Sequence, residues 1–328
     1  MKKTLIASAV AAATFSGAVA AAEMPTIYGN IQYAITQTNV DGGGSAIDHF
    51  DNGTTLGVTH SHEIAPGIKG FLKLELEGIN ADDKAGSSGI DKLDEAYIGV
   101  EGDTFGKIWV GSDDSTYERA IDIIYNFHEI GSDIGGSYDT GEGDLIQYES
   151  PSFGGLKLGA AVQVNGDGKD GGKSYPYQLA AIYSADALEL AFAMDSNDGH
   201  LAYSKSSFTD DPSANNENTY GLRATYTMGD LSLTGEYQTR KDVADVYGVM
   251  GVYTMGANQF ALSYQVNDDD DSGDKNDTLA VQALHNLSDN MYVYFEGYLS
   301  NADEEIYSLE DGSGDEQTIA AVGAVYYF

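Results

Sequence analysis

The chain has 328 residues, with 52 acidic and 16 basic side chains, a formal net charge of −36 and no cysteine. So acidic a surface repels nucleic acid and attracts cations, and without cysteine no disulfide staples the fold. Forty glycines, 23 tyrosines, one tryptophan and five prolines suit many short strands with tight turns and argue against helices.

The N-terminus reads as a secretory signal peptide. Lys2 and Lys3 precede an apolar run from Leu5 to about Gly17, then the small residues Ala18, Val19, Ala20, Ala21 and Ala22. Cleavage after Ala20 or after Ala22 fits, so residues 1–22 are set apart from a mature chain of residues 23–328. The mature chain keeps 14 basic residues against 52 acidic ones, a net charge near −38. After the signal, no apolar run approaches the ~18 residues that a membrane helix needs. An exported chain that spans a bilayer without such a run has to close into a barrel, because hydrocarbon leaves no open sheet edge satisfied.

Period-2 segments predict sixteen strands, over 26–38, 53–63, 68–80, 92–102, 105–113, 144–150, 155–165, 176–184, 188–196, 218–227, 231–240, 245–254, 258–267, 277–286, 290–300 and 317–328. Leu72, Leu74 and Leu76 alternate with Lys73, Glu75 and Glu77; Leu188, Leu190, Phe192 and Met194 alternate with Glu189 and Asp195. Leu231, Leu233 and Tyr237 alternate with Ser232, Thr234, Glu236 and Gln238. A soluble sandwich and a membrane barrel both read this way, with the apolar side inward in one and outward in the other. Connection lengths separate them. Seven are two to four residues long, at 64–67, 103–104, 151–154, 185–187, 228–230, 255–257 and 287–289, and the intervening ones mostly run nine to thirty. Tight turns gathered at one end suit a barrel inserted from the periplasm. The last segment ends on the aromatic Phe328, and pairing it with the first strand removes an exposed sticky edge.

Charge gathers in the outer loops, at 268–277 and 303–316, where it reads as a solvated surface. Asp268, Asp270, Ser272 and Gly273 open like a calcium loop, but its twelfth position is Leu279. Loop-bound Ca2+ there is the metal candidate, and no resident cofactor is expected. His60 and His62 share a strand face, yet no histidine stands in a catalytic constellation, so no enzyme is expected.

Residues 96–103 (AYIGVEGD) followed by 105–111 (FGKIWVG) resemble the fourth-to-fifth strand hairpin of Gram-negative general-diffusion porins. Residues 148–156 (YESPSFGGL) resemble their sixth-to-seventh hairpin, and the opening Ile27, Tyr28, Gly29 and closing Tyr326, Tyr327, Phe328 agree. The resemblance implies an all-β, sixteen-stranded antiparallel transmembrane β-barrel in the outer membrane of a Gram-negative bacterium. It further implies a homotrimer set in lipid and lipopolysaccharide, whose third extracellular loop, here 114–143, folds inward and narrows the pore.

That loop carries the apolar residues Tyr117, Ile121 and Ile124, and 118–125 has helical spacing. Its acids Asp113, Asp114, Glu118, Asp122, Glu129 and Asp133 are the candidates for the constriction. Many such porins set arginines and lysines on the facing wall. Hairpin alignment puts Asn30, Thr55, Asp94, Ser112 and Gln147 or Glu149 at those positions, none of them basic. Lys73, Glu75, Arg223 and Glu236 complete the candidate lumen wall, and Asp94 competes with Glu95 for its place on it. Passive diffusion of small hydrophilic solutes, with cations preferred, is the expected function. Its rivals are a sugar- or peptide-specific channel with Tyr292, Tyr294 and Tyr298 as its track, and an acidic-looped surface receptor or adhesin.

Overall fold

A computed structural model describes residues 24–87, 89–90, 92–131, 141–164, 175–196, 217–270 and 272–328. The signal segment lies outside them. In chain order the elements are β1 (Thr26–Val40), β2 (Gly44–Asp51), β3 (Leu56–Ala65), β4 (Ile68–Glu77), β5 (Lys92–Gly102), β6 (Gly106–Ser112) and the helix α1 (Thr116–Ile121). Then come β7 (Leu145–Glu149), β8 (Leu156–Gln163), β9 (Tyr177–Ala185), β10 (Leu188–Asp195), β11 (Thr219–Met228) and β12 (Leu231–Arg240). The chain ends with β13 (Ala244–Met255), β14 (Asn258–Asp269), β15 (Lys275–Ser288), β16 (Met291–Ala302), β17 (Tyr307–Leu309), β18 (Gly312–Gly314) and β19 (Glu316–Tyr327).

All but the small β17–β18 hairpin join one antiparallel sheet of 17 strands that closes on itself, since β19 pairs with β1 from Asn30↔Tyr327 to Val40↔Gln317. Strands β2 and β3 are two halves of one stave. The upper part of β1 pairs with β2 and its first residues, Thr26 to Gly29, pair with β3, so the barrel has sixteen staves. The break at 52–55 has a local cause: the Asp51 carboxylate accepts the N–H groups of Gly53 (3.2 Å) and Thr54 (2.7 Å), a turn that competes with the ladder. The segment predicted at 53–63 is therefore the lower half of a longer stave, and β2 is an addition that alternation did not reveal.

Parity sets the two faces. On the outside, Leu74, Ile98, Phe192, Leu222, Leu233, Val249, Leu262 and Phe295 are exposed. On the inside, Gln147, Gln178, Arg223, Gln238, Gln282 and Glu296 are buried. Along β12 the contrast is sharp, with Leu233 45% exposed and Gln238 fully covered. An apolar exterior around a polar interior inverts the soluble pattern and is the surface that hydrocarbon solvates. Leu233→Arg is accordingly expected to cost roughly 2–4 kcal/mol of folding into bilayers. Ser232→Arg, at a partly exposed position on the inner face of the same strand, is expected to cost far less, and urea titrations of both variants in liposomes measure the difference.

The β17–β18 hairpin docks on the turn between β1 and β2 through glycine. A Cβ on Gly314 would lie 1.8 Å from the Asp41 carbonyl oxygen, and one on Gly43 would lie 2.8 Å from that of Gly312. Tyr307 is buried beneath the hairpin and its hydroxyl donates to Asn276 Oδ1 at 3.4 Å.

Candidate functional site

After β6 the chain turns onto the barrel's polar face. Ser115 caps α1, its Oγ accepting from Glu118 N at 2.9 Å. The helix buries Tyr117, Ala120 and Ile121 against Ala180, Ala191 and Ala193, small residues of β9 and β10 that leave room for it. On β11 a Cβ at Gly221 would lie 2.7 Å from both Tyr117 Oη and an Ile121 methylene. Polar bonds complete the seat. Thr116 N donates to Gln178 (2.7 Å) and its hydroxyl to Gln147 (2.8 Å); Tyr117 Oη donates to Gln238 (2.9 Å), and Arg223 Nε to Ala120 O (2.8 Å). The helix starts two residues before the predicted 118–125 and ends at Ile121, where Asp122 N closes on Glu118 O. A 3₁₀ turn, Tyr125–Phe127, follows.

The far end is tied as firmly. His128 Nε2 lies 2.7 Å from Ser263 Oγ, and Glu296 accepts the backbone N–H groups of Glu129 (2.8 Å) and Ile130 (3.0 Å). Glu296 also accepts Tyr298 Oη (2.6 Å) and Gln282 Nε2. Tyr292 Oη donates to the Glu129 carboxylate at 3.1 Å, and Asn52 Nδ2 to Glu129 O at 2.8 Å. Residues 113–131 thus follow the polar face from β7 round to β16. The arc made by β1, β3, β4 and β5 is lined by its own side chains.

Two of the loop acids put forward for the constriction turn to the wall instead. Asp113 is buried, accepting Trp109 Nε1 (2.6 Å) and Arg119 NH1 (2.8 Å); Asp122 is buried, accepting Gln238 Nε2 (2.7 Å). Asp113 continues the inward parity of β6, on the side of Trp109, and Asp122 caps α1 at the end of the helix that packs against the barrel. Burial, with Glu236 and Glu118 nearby, holds the Asp122 carboxyl well above the usual range. Asp114 is exposed and Glu118 partly so, the latter accepting Asn126 Nδ2 at 2.9 Å. Surrounding protein and the carboxylates of Glu118, Glu95 and Asp113 push Asp114 up to about 7. Glu129 is engaged with Tyr292, and Asp133 lies outside the described residues.

The wall candidates divide similarly. Asn30 Nδ2 bonds Thr55 Oγ1 at 2.9 Å, and Lys73 bridges Glu75 (3.1 Å) and Glu95. Glu149 stays exposed beside Lys157 at 3.2 Å. Gln147, Arg223 and Glu236 are buried under the loop and hold it, with Arg223 paired to Glu189 at 2.8 Å, so the lumen-wall expectation is corrected for these three. Asp94 falls at a register shift of β4 against β5, where Glu95 stands opposite Glu75 and Leu93 opposite Leu76; the wall position belongs to Glu95. Tyr292, Tyr294 and Tyr298 are buried in packing with the loop, not laid out as a track. Inward residues that parity alone did not single out are Tyr97, Lys107 and Trp109, grouped where the Lys107 ammonium rests 4.3 Å from the Trp109 ring centroid.

At the calcium-like stretch, Asp268 is taken by Lys275 at 2.6 Å and Asp269 accepts Ser272 N at 2.8 Å. Among the described residues no group of three or more His, Asp or Glu side chains is placed to hold a metal.

The pattern of the Gram-negative porin family matches residues 7–305. This chain belongs to that family. The porin is 28% identical over 382 aligned residues, covering all of both chains, to the monosaccharide porin of a Halomonas species. The same figures hold for the major outer membrane protein of Halomonas elongata. In three dimensions it is similar to the anion-selective porin from Comamonas acidovorans, with a TM-score of 0.74 at 17% identity, covering 93% of this chain and 100% of that one. The porin is an outer-membrane channel, not an enzyme, and its strands are what cross the membrane.

Proposed function

We propose that this porin is a water-filled, cation-preferring channel for passive diffusion of small hydrophilic solutes and ions, narrowed by residues 113–131. The observation that carries the reading is the charge left facing water. Asp114 and Glu118 on the loop, with Glu75 and Glu95 on the facing arc, set four carboxylates against the two ammonium groups of Lys73 and Lys107, whereas Arg119 and Arg223 are each held in an ion pair. A carboxylate ~4 Å from a hydrated cation contributes roughly 1–4 kcal/mol, depending on local dielectric. Several such groups concentrate cations and deplete anions. The likeness to an anion-selective porin, at 17% identity, is one of fold. Sugars of monosaccharide size, the class in one relative's name, belong among the solutes. The reading includes removal of the N-terminal signal on export, by cleavage after Ala20 or Ala22, supported by Lys2, Lys3 and the apolar run that follows them, and a homotrimer embedded in lipid and lipopolysaccharide, supported by family likeness. Reversal potentials in planar bilayers under a KCl gradient test the selectivity: a cation-preferring sign is expected, and an anion-preferring sign would overturn it.

A further inference from the structure

We propose that the arc of inner wall on β1, β4 and β5 is a subsite for a neutral pyranose sugar, an inference that rests on the channel reading above. Tyr28, Phe71 and Tyr97 all point inward there, in register with the inward Lys73 and Glu75. Two of these rings are laid along the wall because the neighbouring inward position is glycine. A Cβ on Gly57 would lie 2.2 Å from Tyr28 Cζ, and one on Gly99 would lie 2.3 Å from Phe71 Cζ. Phe71 and Tyr97 meet edge to face, with centroids 6.2 Å apart and planes at 78°. An apolar ring left half-buried in an aqueous bore gains nothing from water, and it offers a surface to any solute with an apolar face.

The polar groups beside the rings define that solute. Lys73 lies between Glu75 (3.1 Å) and Glu95, Tyr28 Oη donates to Glu75, and the Lys73 ammonium is 5.9 Å from the Tyr28 centroid. Lys107, its ammonium 4.9 Å from the Phe71 centroid on a flexible stem, adds a second donor. Fixed donors and acceptors therefore alternate at one rim of an aromatic patch. Hydroxyl groups both donate and accept, so a ring of hydroxyls around a C–H face matches both parts. A free anion would meet Glu75 and Glu95, and a free cation finds those two carboxylates already shared by Lys73.

The test is single-channel recording of the full-length porin with D-glucose added, against sorbitol, an open-chain polyol of nearly the same size. Glucose is expected to give a saturable current block with excess noise, half-maximal at millimolar concentrations, and sorbitol only a decline linear in concentration. The double variant Phe71→Leu, Tyr97→Leu is expected to raise the half-blocking glucose concentration about tenfold or more, with open conductance within about twofold of the parent. Glucose is also expected to shift the emission of Trp109, the sole tryptophan, whose ring contacts Lys107. Identical responses to glucose and sorbitol, or unchanged block in the double variant, would overturn the subsite and leave the channel standing. Absence of any open-channel current would instead overturn the channel reading, and the subsite with it.

Discussion

Replacing Glu296 with alanine is expected to release the far end of residues 113–131 and make the open channel larger and noisier. In the parent, one buried carboxylate accepts four donors: the N–H groups of Glu129 and Ile130, the Tyr298 hydroxyl and the Gln282 amide. Truncation leaves these donors without their acceptor in a covered site. With orphaned donors costing about 1–3 kcal/mol each, and water replacing part of the loss, a net cost on the order of 3 kcal/mol or more falls on the loop's attachment. Little of it falls on the barrel ladder, whose backbone bonds are untouched. Glu296→Gln keeps one acceptor oxygen and is expected to be intermediate. Single-channel conductance and open-state noise report the effect, with Leu299→Ala on the exposed outer face of the same strand as the control. Parent-like conductance and noise in Glu296→Ala would remove this carboxylate from its role as the loop's anchor.

Cation preference is expected to fall as pH drops from 8 to 6, and Asp114→Asn to abolish most of that dependence. The sign follows from the direction of the shift. Protein and neighbouring carboxylates push Asp114 up to about 7, so the group is charged above that pH and neutral below it. A carboxylate of ordinary range would keep its charge down to about pH 4–5. Loss of one charge worth about 1 kcal/mol in a wet bore corresponds to roughly a fivefold fall in the cation-to-anion permeability ratio. Reversal potentials measured at half-unit pH steps read this out. A flat profile across that range in the parent, or an undiminished step in Asp114→Asn, would show that Asp114 does not set the selectivity.

Much of the barrel was legible because burial on opposite faces imposes a period of two. Leu233 against Thr234 and Glu236, or Leu190 and Phe192 against Glu189, already gives the two sides of the wall. Connection lengths then say which end the tight turns occupy. What alternation lacks is any sign of which inward side chains remain wet. Gln147, Arg223 and Glu236 have the parity of pore-lining residues, yet the loop covers them. The signal for that cover was present in another form, as the run of small inward residues Ala180, Ala191, Ala193 and Gly221, which is where a helix fits. Asp94 was ambiguous for a different reason, because a register shift exchanges the faces of adjacent residues and one-dimensional alternation has no means to record it. The stretch of β2 alternates poorly, with Asp48, His49 and Asp51 crowded beside Ile47 and Phe50, and its pairing with β1 decides its conformation.

Because β1 finds one partner in β19, nearly three hundred residues away along the chain, the seam between them is among the last things the polypeptide can make. Until the final stave arrives, two unpaired backbone edges flanked by isoleucine, valine and tyrosine stand open to any other strand. Assembly is then a race between ring closure and clumping. Escort proteins that shield those edges in the periplasm, and a membrane surface that nucleates the apolar exterior, would favour closure more than any strengthening of an individual strand pair.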